Sequence, residues 1–153
     1  MAKQSALRKV RLAEAKDADA AAKRVETAQP ADHFVLKDGL QFAGTHLLVD
    51  MWGCSRLSEL PHVQATLTEA VAAVGATLLK IDLHHFQPEG GISGVAVLAE
   101  SHMSIHTWPE RGYAALDVFV CGNCDAYKAI PVLRSAFRPE SIQLVEHKRG
   151  LVP

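Results

Sequence analysis

Ser101, His106 and Cys121 are the side chains of this sequence best suited to covalent or proton-transfer chemistry. All three stand in a stretch otherwise written for a protein core, VLAESHMSIHTWPERGYAALDVFVCG, residues 97–122. A hydroxyl, an imidazole and a thiol can serve as nucleophile, base and acid, and imidazole is available as a base near neutral pH. A serine hydrolase is not indicated, because neither G-x-S-x-G nor an evident acid partner for the histidine is present. His102 and His106, four apart on a strand, would point the same way, and His84 and His85 could extend such a pair toward a metal site. No carboxylate or cysteine falls in register with them. Cys121 and Cys124 form a C-x-x-C, but a zinc site needs two further ligands at compatible spacing, and a thioredoxin-like pair needs a surrounding βαβ pattern. Residue types alone end at an α+β domain with a reactive set of unassigned use.

The elements that must hold these residues are legible from periodicity. THLLVDMW (45–52) reads as a strand. Val63, Leu67, Ala70, Val71 and Val74 then recur at the spacing of one helical face, with Pro61 in the first turn and Gly75 as the stop. ATLLKIDLHHF, ISGVAVLA, SHMSIHTW and YAALDVFVC follow as four strands, the first two separated by the turn-rich QPEGG. In the last of them Tyr113, Ala115, Asp117, Phe119 and Cys121 share one face, and Ala114, Leu116, Val118 and Val120 the other. A helix is predicted from Asp125 to Phe137, capped near Asp125 and bent or shortened by Pro131. SIQLVEHK supplies a final strand. Consecutive strands on short loops imply antiparallel pairing, hence an α+β two-layer sandwich with two helices on one face of a mainly antiparallel sheet.

The whole chain is 153 residues and 48% hydrophobic, which suits one globular domain. A formal net charge of −1 provides no field that would draw it to nucleic acid or an anionic membrane. No apolar run reaches the roughly 20 residues of a membrane span, and the N-terminus lacks the apolar region of a secretory signal. Residues 1–30 carry seven Lys and Arg against four Asp and Glu. They are Ala-rich and read as an N-terminal extension, residues 1–40, partly helical or disordered. Three cysteines without a signal suggest free thiols in a reducing compartment, the cytoplasm.

Glu100-Ser101-His102 followed by Ser104-Ile105-His106-Thr107-Trp108-Pro109-Glu110 resembles the signature of S-adenosylmethionine decarboxylase proenzymes of the short bacterial and archaeal type. The likeness extends through Gly44-Thr45-His46-Leu47, FQPEGGISG (86–94), GYAALDVFVCG (112–122) and Val145-Glu146-His147-Lys148-Arg149-Gly150. It covers residues 44–150. Departures are a QPEGG loop one residue longer than usual, Ser104 and Val120 where threonine is common, Pro131 in the second helix, and the first forty residues, which the shortest members lack.

The resemblance implies a self-made cofactor in residues 41–153. The Ser101 hydroxyl attacks the Glu100 carbonyl, the peptide becomes an ester, and loss of the Ser101 α-hydrogen expels the Glu100 carboxylate. Hydrolysis of the dehydroalanine releases ammonia and leaves a pyruvoyl group. The products are a β chain, 1–100, and an α chain, 101–153. By the same resemblance Ser93 supports processing near the Glu100 carbonyl and His106 accepts the proton. Cys121 donates the proton during decarboxylation, while the pyruvoyl ketone forms a Schiff base with the substrate. Phe86, Trp108 and Glu110 would bind the adenine, sulfonium and ribose of S-adenosylmethionine. Neither metal nor pyridoxal phosphate is implied, and the active form would be a homodimer of cleaved protomers with sites near the interface. Two alternatives stay open at this point: the same chemistry on arginine or ornithine, and an uncleaved, catalytically silent binding or regulatory homologue.

Overall fold

A computed structural model describes residues 33–87 and 90–153. The helix expected within residues 1–30 lies outside them. The principal sheet comprises β3 (Gly44–Trp52), β4 (Leu78–His85), β5 (Ile92–Leu98), β6 (Ser101–Trp108), β7 (Tyr113–Cys121) and β8 (Ser141–Arg149), in spatial order β4-β5-β6-β7-β3-β8. Every neighbouring pair is antiparallel. Two helices, α1 (Leu60–Val74) and α2 (Ala129–Phe137), complete an α+β sandwich.

Alternation decides which sheet face the helices cover. Leu47, Val49 and Met51 of β3, Ile92, Ala96 and Leu98 of β5, Met103 and Ile105 of β6, and Ala114, Leu116, Val118 and Val120 of β7 are buried together with Val63, Leu67, Ala70, Val71 and Val74 of α1 and Leu133 and Phe137 of α2. The other face, with His102, Ser104, His106 and Trp108 on β6 opposite Phe119, Asp117, Ala115 and Tyr113 on β7, has no helix of the described residues over it.

The first helix begins and ends where its punctuation directs. Gly75 takes φ 82°, and the N–H groups of Gly75 and Ala76 close onto the carbonyls of Ala72 and Val71, a left-handed cap open to glycine without strain. Before the second helix a 3-10 turn, Ala126–Lys128, is capped by the Asp125 carboxylate accepting from Tyr127 N–H at 3.1 Å. Pro131 then falls in the first turn of α2, where a missing N–H does no harm. The proline shortens the α-helical part instead of bending it.

A hairpin not assigned from the sequence precedes the sheet. β1 (Val35–Lys37) and β2 (Leu40–Phe42) pair across Asp38–Gly39, both at positive φ, 53° and 76°. Asp-Gly between strand-forming residues is the favoured two-residue hairpin turn. The boundary drawn at residue 40 therefore cuts through this hairpin.

One buried threonine ties the sheet to the loop after β3. Thr107 is 6% exposed; its Oγ1 donates to Leu57 O at 2.9 Å and accepts from Ile92 N–H at 2.7 Å. Beside it, a Cβ on Gly91 would lie 1.8 Å from Thr107 O, so only glycine lets the strands close here. Thr107→Val keeps the volume but orphans both partners. The expected loss is about 2–4 kcal/mol, a fall in Tm on the order of 10 °C for a domain of this size, measured by thermal unfolding.

Candidate active site

Glu100 and Ser101 occupy the corner between β5 and β6. Leu98 pairs with Ser101, so Ala99 and Glu100 form a two-residue turn. Ser101 takes φ 155°, a value that side chains with a Cβ rarely adopt. The Glu100 carbonyl accepts from the Cys121 thiol, Sγ to O 2.9 Å. Cys121 reaches it from the end of β7, because Val120 is the register partner of Ser101. The Glu100 carboxylate is also held: Thr77 N–H donates to Oε2 at 2.9 Å and Thr77 Oγ1 to Oε1 at 3.2 Å. These bonds keep the carboxyl below its usual range, the Thr77 amide contributing most. Nothing in the sequence pattern singled out Thr77. Its signal would have been its place two residues after the helix stop at Gly75, which the fold brings against the β5–β6 turn.

Ser93 and His106 form a second cluster. They are cross-strand partners, and Ser93 Oγ and His106 Nδ1 share a hydrogen bond of 2.8 Å. Around them lie the expected binding residues. Phe86 is 50% exposed and Trp108 41%, so both rings have open faces. Phe86 N–H bonds Gly91 O at 3.0 Å and its ring meets His84 edge-on at 4.6 Å. Trp108 stacks on Tyr113 at 5.1 Å, and Tyr113 on Trp52 at 4.3 Å. Glu110 is exposed on the short 3-10 turn Pro109–Arg111.

The two clusters are apart. His106 lies five residues along β6 from Ser101, roughly 16 Å at strand rise, further than an imidazole can reach. Within one chain the donor at the Glu100 carbonyl is Cys121, and Ser93 is engaged with His106 instead. The open sheet face thus carries the Cys121 thiol, which reaches the Glu100 carbonyl, at one end, and hydroxyl, imidazole and aromatic rings at the other, while Ser101 pairs with Leu98 and Val120 of the helix-covered face. Between them Asp117 accepts from Ser104 Oγ at 2.7 Å and meets His46 Nε2 at 3.3 Å, so serine at 104 keeps a hydroxyl's function. Val120 is buried under the helices and not on this face.

Burial pushes the Cys54 thiol up to about 11. Cys124, whose Sγ donates to Gly75 O at 3.4 Å, is raised chiefly by burial and then by Glu100 and Cys121. Among the described residues no group of three or more His, Cys, Asp or Glu converges as metal ligands would. Tyr113 donates to the Asp50 carboxylate, which pushes the phenol up to about 12. Tyr127, the other tyrosine, is raised by Glu146. The neutral Tyr113 is favoured, so its bond to Asp50 contributes below the ordinary value of 10.0 and is lost as pH rises through about 12. Titration followed by tyrosinate absorbance is expected to show both phenols ionising late, and Asp50→Asn to return one to the ordinary range.

Comparison with known proteins adds the following. The family model for S-adenosylmethionine decarboxylase matches residues 45–150. The S-adenosylmethionine decarboxylase proenzyme of Thermomicrobium roseum is 46% identical over 110 residues, 71% of this chain and 95% of that one. The proenzyme of Methanococcus vannielii is 47% identical over 112 residues, 71% of this chain and 91% of that one. The crystal structure of the adenosylmethionine decarboxylase from Aquifex aeolicus superposes with a TM-score of 0.66 at 36% identity, covering 73% of this chain and 94% of that one.

Proposed function

Because the chain belongs to the S-adenosylmethionine decarboxylase family, we propose that it is a self-processing, pyruvoyl-dependent enzyme. It converts S-adenosylmethionine to CO2 and decarboxylated S-adenosylmethionine, the aminopropyl donor for polyamine synthesis. The observation that carries this reading is the Cys121 thiol donating to the Glu100 carbonyl at 2.9 Å, at a turn whose next residue is a serine with φ 155°. A donor aimed at a carbonyl oxygen stabilises the oxyanion that forms when a hydroxyl attacks that carbon, and a strained backbone lowers the barrier to leaving the amide. Those residues fit the making of a pyruvoyl group from Ser101. When formed, that group supplies a ketone that takes up the substrate amine and accepts the electron pair released with CO2.

The chain's own residues supply the rest. Cys121, at the end of β7, returns a proton to the substrate carbon, an effect on the order of 10²–10⁴-fold. Ser93 orients His106 through its Nδ1, leaving the other ring nitrogen to accept the Ser101 α-hydrogen. Because that pair lies roughly 16 Å from Ser101 of its own chain, His106 and Ser93 act on a second copy. A two-fold axis through the open sheet face exchanges its ends, and so sets each Ser93–His106 pair against the partner copy's Glu100–Ser101 turn. Half-exposed Trp52, Val97 and Val145 favour such a docking, and an isologous dimer has two sites. We place the enzyme in the cytoplasm, where the Cys121 thiol stays reduced; no described helix is long and apolar enough to cross a membrane.

Phe86 and Trp108 are assigned to the adenine and the sulfonium. Stacking is worth about 1–3 kcal/mol per base and a cation over an aromatic face about 0.5–2 kcal/mol. Phe86→Ala or Trp108→Ala is therefore expected to raise KM for S-adenosylmethionine roughly 5- to 50-fold. A decarboxylation assay across S-adenosylmethionine, arginine and ornithine tests the substrate. Turnover of arginine without turnover of S-adenosylmethionine would overturn the assignment.

A further inference from the structure

We infer that Thr77 is a positioning residue for self-cleavage, acting through the carboxylate of Glu100. The inference rests on the proposed processing at Glu100–Ser101 and names a part of that machinery which lies outside the sheet strands carrying it.

Three bonds join this one residue to the turn that would break. Thr77 N–H and Oγ1 hold the two carboxylate oxygens of Glu100 at 2.9 and 3.2 Å, and Thr77 O accepts from Ala99 N–H at 3.0 Å. Thr77 is itself fixed. It follows the left-handed cap at Gly75, and the same loop is tied down by Asp125 N–H to Val74 O at 3.0 Å and by Cys124 Sγ to Gly75 O at 3.4 Å.

The consequence follows from rotation. In the first processing step the Ser101 Oγ–Glu100 C bond forms, the peptide C–N bond breaks, and the hydroxyl proton ends on the Ser101 nitrogen. The step needs the carbonyl turned so that its oxygen meets a donor and its carbon meets Oγ. Cys121 holds the oxygen. Without a second anchor the Glu100 peptide could still swing about its Cα. Thr77 provides that anchor through the side chain on one side and the Ala99 amide on the other. An ionised carboxylate makes the stronger bond, and Glu100 stays ionised through the neutral range, its carboxyl held low chiefly by the Thr77 amide. The same three bonds keep the new end of the β chain seated after the bond has broken.

The test is a cleavage time course of freshly translated full-length chain, followed by denaturing mass spectrometry. Thr77→Val removes the hydroxyl and keeps the shape and backbone donors; it is expected to slow cleavage roughly tenfold, the effect of one charge-assisted hydrogen bond. Thr77→Ser is expected to stay within about twofold of the wild-type rate, since it restores the donor. Glu100→Gln weakens the same bonds, so Thr77→Val combined with Glu100→Gln should be no slower than Glu100→Gln alone. Thermal unfolding of each variant accompanies the rates. Cleavage of Thr77→Val at the wild-type rate overturns the role, as does a double variant whose slowing is the product of the two singles. Equal slowing of Thr77→Ser and Thr77→Val, with a lowered Tm in both, also overturns it. A wild-type chain that stays whole overturns the processing reading itself; a wild-type chain that cleaves while Thr77→Val keeps pace overturns only the assignment of Thr77.

Discussion

Ser101→Ala is expected to leave the chain as a single 16.6 kDa polypeptide and to abolish decarboxylation. Under the proposed mechanism the serine oxygen is first the nucleophile and then the atom that departs with the Glu100 acyl group, and alanine offers neither. The loss should be complete within detection, because without a ketone at position 101 the electron pair released with CO2 has nowhere to go. Ser101→Cys keeps a nucleophile of similar size and should cleave more slowly. The fold should survive both changes, since Ser101 is only partly buried and lies at a turn. Denaturing mass spectrometry of wild type and variants reads the result. A wild-type chain that turns over substrate while intact, or an alanine variant that retains turnover, removes the basis of the proposal.

The second large effect concerns two chains at once. His106→Ala and Cys121→Ala should each lower activity by about 10²–10⁴-fold, the usual contribution of a positioned acid or base, and Cys121→Ala should also slow cleavage by removing the donor at the Glu100 carbonyl. If each site takes Ser101 and Cys121 from one copy and Ser93 and His106 from the other, a mixed dimer of these variants has one site with both defects and one with none. Co-expression in equal amounts then makes about half the dimers mixed, and activity should recover to roughly a quarter of wild type. Sites contained within single chains would give no recovery, since every chain carries a defect. Light scattering of the wild type, expected at twice 16.6 kDa, checks the assembly on which the result depends.

The sequence by itself determined the strands and what they carry. SHMSIHTW and YAALDVFVC are β6 and β7 to the residue, because period-2 alternation between a helix-covered face and an open one is a local property of the chain. The helix from Pro61 to Gly75 was legible for the same reason, its apolar stripe and both stop signals being local. Asp38–Gly39 is an equally local signal, a hairpin turn that falls within the residues assigned to the N-terminal extension. The tertiary structure alone decided which residues meet. Placing β3 between β7 and β8 is a long-range choice that no local pattern encodes. So is the approach of Thr77 to Glu100 across 23 positions and of Cys121 to Glu100 across 21. The separation of Ser93 and His106 from Ser101 belongs to the same class. One strand holds both His106 and Ser101, and an extended backbone keeps residues five apart at a distance that only a second sheet could bridge.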